Sequence, residues 1–593
     1  EKSKITKSLA VFASVLLIII IGVASFAYFG TFNVNLNNNV AVNINSSSPG
    51  NATFTSNASQ LNLQVPAANM SFTVANNTVA AKEDTAFLDV TLTGSSNLLT
   101  TCTYDIVYEY DAGSNVYGQG TTTKTGDATK EITIEVNGMN GNNHFATETN
   151  FDHANIQGYY DSTNKYYKLV EGATIKSLGT EQSVRWKITG RYYNLDVSQA
   201  QLGGKNFTGK IYAISKGCSS EDGSSVKKGY ETILANNGGV ASMTTLTSTD
   251  FATATTASDK GMYKAQDDLG TSYYFRGAVD NNWVKYGKYT KDTYYTYDGD
   301  YNYSLVSSCD GLDNCFKIAS KGDDMYWRII RINGDNSIRM IYTGTSAPDS
   351  NTKVVMTEST NNSGYIRATS AGRSKFNQNY NSAEYVGYMY TIGEQHGTSQ
   401  SSDIKTYLED WYANYTDLNK TGTKITDQIY CNDRTASTSD VAYSTTDYTT
   451  LTSWNSTGTN YYYGAYGRIV KDNNPMLTCA VDSDRFTVNK INGKGNSALT
   501  YPIGLITIDE LEMAGNNWSE SNTSYYLHTG AYYWAGSPFE FDGSGSAGFF
   551  VGVDGGLYIS DVYGDNGVRG VVSLSSESKL LGSGTYNDVY TVN

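Results

Sequence analysis

The sequence is poor in the residues that mark several large classes of protein. Charged side chains make up only 17% of the 593 residues, proline occurs 6 times and histidine 4 times. The net charge is −15 and there is no basic stripe, which argues against nucleic-acid binding. The histidines do not recur at the i,i+4 spacing and no CxxC occurs, so we expect no zinc site and no other cofactor.

The abundant residues carry hydroxyl, amide or aromatic side chains, and tyrosine alone occupies 49 positions. Tyrosine, threonine and valine favour strands. A surface that carries hydroxyl and amide groups rather than charged groups is typical of an exported β-rich protein. A chain of 593 residues is also long enough for several domains. We therefore predict a multi-domain, β-rich fold.

The N-terminal segment, residues 1–30, predicts export. A lysine-rich start precedes an apolar run over residues 9–29, which is long enough to span a bilayer as a helix. Small residues at Ser25 and Ala27 also suit cleavage after Ala27. Both fates, a cleaved signal peptide and a retained transmembrane anchor in the cytoplasmic membrane, remain open. Either fate places the bulk of the chain outside the cell, at the cell surface or anchored to the membrane.

Residues 31–215 predict one all-β domain, a sandwich or a jelly roll. Apolar and polar residues alternate in many short segments, and no helix-length apolar period interrupts them. The first such segment, residues 31–45, follows the apolar run without a linker. It can close its own domain, or it can pair with the sheet of a neighbouring molecule and so drive self-association. Further strands are predicted at 71–74, 87–94, 104–110, 130–136, 183–193 and 207–215.

Several stretches of this half resemble a known family. They are "FAYFG", "CTYDIVYEYDAG" and "WKITGRYYNLDVSQAQLGGKNFTGKI". Together they resemble the camelysin/TasA-like surface proteins of Firmicutes, over about residues 9–215. The resemblance implies a jelly-roll domain behind the hydrophobic leader and a role in forming or decorating extracellular fibres. It also implies that the strand behind the leader can be lent to a neighbour.

The second half of the chain differs from the first in composition and in predicted secondary structure. Residues 216–268 are turn-rich and then low in complexity, with one short helix, and we predict a linker. Residues 269–593 predict an α+β domain. It contains a hairpin at 325–344 and helices at 401–416 and 505–517.

The two helices carry recognisable boundaries. Ser402 and Asp403 are candidate caps of the first helix. In the second, Thr507 and Glu510 form a capping box and Gly515 is a stop signal.

The end of the chain carries a second resemblance. It rests on "YWRIIRING" (326–334), "YYLHTGAYYWAGSPFEF" (525–541), "GFFVGVDGGLYISDVYGDNGVRGVVSL" (548–574) and "LLGSGTYNDVYTVN" (580–593). These resemble a surface domain of gut Firmicutes that is related to the formylglycine-generating (sulfatase-modifying) enzymes and to C-type-lectin-like folds. The family usually has proline after Gly-Val-Arg, where this chain has Gly570. Its enzymes bind copper with a late cysteine pair, whereas the last cysteine here is Cys479, so that chemistry should be absent.

The cysteines predict disulfides. All of them follow the apolar run, their number is even, and an exported protein oxidises its thiols by default. Spacing alone leaves many pairings possible. The pairing we favour is Cys102–Cys218, Cys309–Cys315 and Cys431–Cys479.

Aromatic residues in polar loops near the end of the chain suggest a ligand-binding surface. The faces of aromatic rings, together with neighbouring amide and carboxylate groups, often bind sugars or peptide surfaces. We predict a glycan or surface-protein ligand. The predicted ligand contacts are Asn517, Trp518, Trp534, Asp554 and Asp565. Arg569 is predicted to be structural, because its guanidinium can satisfy loop carbonyls at the start of a buried strand.

The sequence therefore predicts an exported bacterial cell-surface protein that acts in binding, adhesion or fibre formation. The alternative is an enzyme in the last domain, of the formylglycine-generating-like class or a hydrolase. Known catalytic motifs are missing, and His396 and His528 are expected to be structural. Convergent acids in one pocket would favour the enzyme, and a broad aromatic–amide surface would favour the binder.

Overall fold

The computed structural model describes residues 40–45, 51–64, 76–94, 98–110, 132–138, 141–151, 157–194, 206–298, 302–356, 369–437, 461–518 and 520–593. The apolar run 9–29, residues 31–39 of the predicted first strand and the predicted strand 71–74 lie outside these ranges. Within them, no helix combines the length and the apolar character that crossing a bilayer requires.

The chain divides into two compact units, Glu1–Gly223 and Ser224–Asn593. The described part of the first unit is built from strands and short turns, as its alternating sequence predicts. Its strands are β1 (Val40–Asn45), β2 (Asn51–Ser56), β3 (Ser59–Gln64), β4 (Asn76–Thr93), β5 (Leu98–Tyr110), β6 (Ile132–Asn137), β7 (Asn142–Asn143), β8 (Thr149–Asn150), β9 (Tyr160–Asp161), β10 (Tyr166–Ser177), β11 (Glu181–Asn194) and β12 (Asn206–Asp222).

The described strands of the first unit form two antiparallel sheets that share one core. One sheet has the order β1-β2-β4-β11-β6-β8, and the other has the order β3-β12-β5-β10-β7, with β9 paired to β10. Apolar side chains from both sheets are fully buried in a single cluster, among them Leu88 and Trp186 from the first sheet and Leu61 and Tyr104 from the second. This arrangement is a two-layer β-sandwich.

Strand β1 belongs to its own chain. Val40 pairs with Ser56 and Asn45 pairs with Asn51, so β1 and β2 form an antiparallel hairpin. Strand β1 ends the sheet order, and its outer edge pairs with no other described strand. In the described part of residues 31–45, Val40–Asn45 pairs with β2 of its own chain. Use of this strand by a neighbouring molecule stays a prediction.

The second unit is an α+β assembly with many short strands. Its helices are α1 (Gly229–Asn236), α2 (Ser248–Phe251), α3 (Asp403–Asp410), α4 (Gly464–Tyr466) and α5 (Ile508–Met513). Its strands are β13 (Lys260–Asp267), β14 (Gly270–Gly277), β15 (Trp283–Lys288), β16 (Thr293–Tyr297), β17 (Tyr303–Val306), β18 (Cys315–Ala319), β19 (Asp324–Ile332), β20 (Ile338–Gly344), β21 (Arg373–Lys375), β22 (Met389–Tyr390), β23 (Gln400–Ser401), β24 (Ile425–Thr426), β25 (Tyr430–Cys431), β26 (Tyr461–Tyr462), β27 (Arg485–Phe486), β28 (Tyr533–Phe541), β29 (Ser546–Val551), β30 (Leu557–Asp561), β31 (Asp565–Gly567), β32 (Val571–Leu574), β33 (Leu580–Leu581) and β34 (Tyr590–Val592).

Two sheets organise this unit. The larger has the order β24-β32-β20-β19-β15-β34-β33, and β14 joins it by pairing with both β13 and β19. The other has the order β21-β31-β28-β29-β30, with β26 added to β28. Every residue of β19 and β20 is buried, so the predicted hairpin 325–344 lies at the centre of the core.

The helix boundaries follow their predicted signals. Ser402 caps α3 by accepting a hydrogen bond from the amide of Lys405, and a π-helical turn at Trp411–Tyr415 continues it. Thr507 and Glu510 form the predicted capping box of α5. Gly515, at φ +121°, follows the end of α5 in a backbone conformation that favours glycine.

The prediction of a linker at 216–268 is wrong. Strand β12 continues through residue 222, and the helices α1 and α2 and strand β13 lie in the rest of the range. Ile233 and Met243 are buried in the core of the second unit. The serine, threonine and aspartate residues that suggested low complexity are caps and turns. Thr247 and Asp250, for example, form the capping box of α2.

The cysteines form the predicted pairs, Cys102–Cys218, Cys309–Cys315 and Cys431–Cys479. Cys102 of β5 lies directly opposite Cys218 of β12 in the antiparallel register, which brings the two sulfur atoms together. Because disulfides persist in oxidising environments, these bridges indicate that the folded protein resides in one.

Candidate binding site

A polar cleft in the second unit is lined by side chains from the β13–β14 turn, the β19–β20 hairpin, the α5 N-terminus and the segments around residues 433 and 476. Its walls carry more ionisable groups than a buried site usually tolerates. The charged residues that line it are Asp267, Asp268, Arg331, Arg339, Asp433, Arg468, Asp509 and Glu510.

Glu510 connects the helix α5 to the β19–β20 hairpin in this site. Its carboxylate caps α5 by accepting a hydrogen bond from the amide of Thr507 at 3.1 Å. The same carboxylate contacts the Nε atoms of Arg331 at 2.9 Å and Arg339 at 2.6 Å. Burial raises the pKa of Glu510, but the two guanidiniums and the amide outweigh it and hold the pKa below its ordinary value. Glu510 is therefore ionised and holds the hairpin against the helix.

Arg331 connects the hairpin to the β13–β14 turn. Its Nη1 donates to Asp267 at 2.7 Å and to Ser272 at 3.1 Å. Asp267 in turn accepts from the amides of Leu269 and Gly270 at 2.8 and 3.0 Å, which fixes the turn. Only 8% of the Arg331 side chain is exposed, yet its Nη2 donates to no group among the described residues. Arg331 thus offers an unused donor in the wall of the cleft.

Arg468 orders the opposite wall. Its Nε and Nη2 donate to the two carboxylate oxygens of Asp509 at 2.8 and 3.1 Å, which is the bidentate geometry that arginine favours. Its Nη1 donates to Asp433 at 2.7 Å. Asp268 completes the set and is held by Arg485 at 2.9 Å. Each carboxylate in the cleft therefore contacts at least one arginine.

One further acid on α5 is different. Glu512 is fully buried and neither of its carboxyl oxygens has a hydrogen-bond partner in the described structure. Burial, with a smaller contribution from the charge of Asp509, raises the pKa of Glu512 to about 9. Glu512 is therefore protonated at neutral pH. It does not line the cleft.

The predicted ligand contacts do not line this cleft. Trp534 is fully buried, and its Nε1 donates to the carbonyl of Ser374 at 2.9 Å. Its assignment to an exposed ligand surface is therefore wrong, because residues 533–539 of β28 are buried on both faces of the strand. Trp518 is half-buried and stacks on Phe539, with ring centroids 5.7 Å apart.

The polar members of the predicted set have structural partners. Asn517 is buried and donates to the carbonyl of Phe251 at 2.6 Å, so it joins the helix segments rather than facing solvent. Asp554 accepts from Ser521 at 2.6 Å and from Tyr558 at 2.7 Å. Asp565 accepts from Tyr303 and Arg373. A binding role for Trp518, Asp554 and Asp565 stays a prediction.

Arg569 makes the hydrogen bonds that its predicted structural role requires. It is buried, and its Nε and Nη1 donate to the carbonyls of Tyr342 and Leu527 at 3.0 and 3.1 Å. Its Nη2 donates to Thr343 at 3.0 Å. The guanidinium thereby joins the end of β20 to the loop before β28.

The two histidines named as structural are both partnered. His396 contacts the fully buried carboxylate of Asp484 at 3.0 Å, and Asp484 also binds Arg434 at 2.7 Å. His528 contacts the carbonyl of Val553 through Nε2 at 2.9 Å. Neither histidine lines the cleft.

Sequence reasoning missed the arginines of the cleft, although a signal was present. The stretch "YWRIIRING" places charged residues within a strand that is otherwise apolar, and a buried arginine requires acceptors for its guanidinium. The capping acid Glu510 was identified, but a capping role alone does not reveal a long-range ion pair. Comparison of the chain with protein families, curated proteins and solved structures found no match.

Proposed function

We propose that this protein is an exported cell-surface protein that binds a ligand of its surroundings, and that the polar cleft of the second unit is the binding site. The single observation that carries the proposal is the Nη2 of Arg331, which belongs to a mostly buried side chain of the cleft wall and has no hydrogen-bond partner among the described residues. A donor in such a wall is usually satisfied by protein, water or ligand. A ligand that supplies an acceptor there would complete the site.

The disulfides and the N-terminal sequence support the location. Three bridges suit an oxidising exterior, and the apolar run 9–29 would carry the chain there as a signal or hold it in the cytoplasmic membrane. In this proposal the first unit is a jelly-roll stalk. The second unit is a C-type-lectin-like head whose ligand is a glycan or a surface protein.

Binding explains the cleft better than catalysis does. A general acid or base needs a pKa near the working pH. The carboxylates of the cleft instead contact arginines, and the pKa of Glu510 is held below its ordinary value. These ion pairs fix the geometry of the walls, and they keep Glu510 ionised and so unsuited to donating a proton.

A hydrolytic enzyme is the second candidate, because several carboxylates do converge in one cleft. It makes a separate prediction. Incubation of the protein with a bound glycan or peptide should then release a cleaved product that mass spectrometry detects. Asp509→Asn should abolish that release.

Fibre formation is a third candidate, favoured by the outer edge of β1, which pairs with no other described strand. An exposed edge can accept or lend a strand. Polymerisation of the purified chain, seen by electron microscopy, would support it.

The binding proposal is tested with the full chain in detergent on an array of glycans and surface-protein fragments. Met476 lines the cleft and is 37% exposed, so Met476→Trp should block the cleft at small cost to stability. Ile392 is 64% exposed and does not line the cleft, which makes Ile392→Trp the matched control. We expect Met476→Trp alone to abolish array binding. Binding that survives Met476→Trp would move the site elsewhere.

A further inference from the structure

The hydrogen-bond balance of the cleft points to its ligand: we infer that the cleft binds the acetamido group of an N-acetylated amino sugar, with the carbonyl oxygen accepting from Nη2 of Arg331. The inference rests on the proposed function, because it names the ligand class of the same cleft.

The carboxylates of the cleft are already occupied. Glu510 accepts from Arg331, Arg339 and the amide of Thr507. Asp509 accepts from Arg468 and from the amide of Met476. Little acceptor capacity is left for a cationic ligand.

The groups that remain are donors. Besides Nη2 of Arg331, the hydroxyl of Thr478 makes no hydrogen bond to any described residue. Thr507 and Ser537 accept from the amides of Glu510 and Ile508, and their hydroxyl protons find no acceptor among the described groups. All four side chains line the cleft. The matching ligand is one that presents acceptor oxygens.

The charge of the cleft restricts the acceptor to a neutral one. The side chains that line it include two more carboxylates than guanidiniums, and the whole chain carries −15. An anionic ligand would enter against this field. A carbonyl or hydroxyl oxygen accepts from Arg331 and the threonines without adding negative charge.

The small volume of the cleft and its apolar lining residues favour a ligand that inserts a small terminal group. The cavity volume is about 30 Å³, and roughly 10–15 Å³ measured this way holds one water. Met476, Leu477 and Leu269 supply apolar surface to the lining, which suits a methyl group beside a carbonyl. An acetamido group has this form and ends the chain that carries it. A peptide amide continues on both sides and would require a longer groove.

The test uses calorimetry on the full chain in detergent with three probes. These are an N-acetylglucosamine trisaccharide, the matching glucose trisaccharide, which lacks the acetamido groups, and a short peptide with a free amino terminus, whose amides all continue on both sides. We expect the first to bind and the second to bind at least about 10-fold more weakly, the loss expected when a hydrogen bond from a charged donor is removed. Equal binding of the two trisaccharides, or preference for the peptide, would overturn the inference.

A variant isolates the hydroxyl contribution. Thr478→Val removes a hydroxyl that has no partner in the described structure, so it should leave the thermal midpoint unchanged and weaken the N-acetylated trisaccharide about 3- to 10-fold. Thr398 is also half-buried but lies outside the cleft lining, and Thr398→Val is the matched control. An unchanged affinity in Thr478→Val would contradict the placement of the ligand.

Arg331→Lys keeps the positive charge but removes the guanidinium fork that faces both Glu510 and the cleft. We expect it to abolish binding of the N-acetylated trisaccharide; full affinity in this variant would overturn the inference. Because Arg331 also holds the hairpin, Thr478→Val keeps the inference testable if Arg331→Lys fails to fold.

Failure of this inference differs from failure of the proposed function. If Met476→Trp abolishes array binding but the acetamido group is not required, the cleft is the site and the ligand class is wrong. If Met476→Trp leaves all binding intact, the cleft is not the site and both fail.

Discussion

The indole nitrogen of Trp186 donates a hydrogen bond to the hydroxyl oxygen of Tyr104, 3.0 Å away, across the interior of the first unit. Trp186 lies on β11 and Tyr104 on β5, so the bond joins the two sheets of the sandwich. Both side chains are fully buried, and their rings meet edge to face. Burial raises the pKa of Tyr104 well above its ordinary value, so its hydroxyl stays neutral.

Tyr104→Phe should lower the free energy of unfolding of the first unit by about 1–3 kcal/mol, because it leaves the indole N–H buried without an acceptor. Hydrogen–deuterium exchange of peptides from β5 and β11 reports this unit separately from the second. Tyr159 is 36% exposed and its hydroxyl bonds to no described residue, so Tyr159→Phe is the control. Equal protection in the two variants would show that the bond contributes nothing to stability.

Replacing each of the two tryptophans that were predicted as ligand contacts should lower the free energy of unfolding by a different amount. Trp534→Ala deletes a fully buried side chain and should cost about 3–5 kcal/mol. Trp518→Ala should cost less, because that ring is half-exposed and packs on Phe539 from one side. Urea denaturation measures both. A larger loss for Trp518→Ala than for Trp534→Ala would reverse this assignment.

Glu512 should make the protein less stable as the pH rises. Its pKa is about 9 in the folded state and near 4.5 when unfolded, so the folded state holds a proton that the unfolded chain has released between these values. Stability should therefore fall as the pH rises through this window and level off above pH 9. Glu512→Gln cannot ionise, so its stability relative to the natural protein should rise by up to about 1.4 kcal/mol per pH unit.

Urea denaturation at pH 5, 7 and 8.5 measures this difference, with the exposed Glu394→Gln as the control. A difference between Glu512→Gln and the natural protein that stays constant over this range would contradict a buried, protonated Glu512.

Removal of residues 28–45 should weaken the first unit, because β2 loses the partner with which it forms a hairpin. A synthetic peptide of residues 31–45 should restore the thermal midpoint by pairing with β2. A peptide of the same composition whose apolar residues no longer alternate is the control. Unchanged stability and assembly after the deletion would exclude both closure and donation by this strand.

Local signals in the sequence predicted much of the second unit. The capping box of Thr507 and Glu510 and the stop at Gly515 depend on neighbouring residues, and α5 has both. The disulfides were also predicted, because export and an even number of cysteines favour full pairing, although the register that places Cys102 opposite Cys218 appears only in the sheets.

The cleft could not be predicted in the same way. Arg331 meets Asp267 and Glu510, which lie 64 and 179 residues away along the chain. Such contacts depend on the tertiary arrangement of strands rather than on local pattern. The linker at 216–268 was mispredicted for a related reason: polar residues that cap short helices have the composition of a flexible segment, and only the burial of Ile233 and Met243 distinguishes the two.

The Cys102–Cys218 bridge also has a mechanical consequence. Force applied to the two ends of the chain runs along the backbone, and the bridge closes a loop of 116 residues between paired strands. Tension then bypasses that loop, so about 400 Å of extended chain cannot be drawn out while the bridge is intact, at roughly 3.4 Å per residue. Single-molecule pulling should show an added extension of this size only after reduction. Under load with the bridge intact, the chain between Cys102 and Cys218 would keep its length, whereas the strands before Cys102 could still be extended.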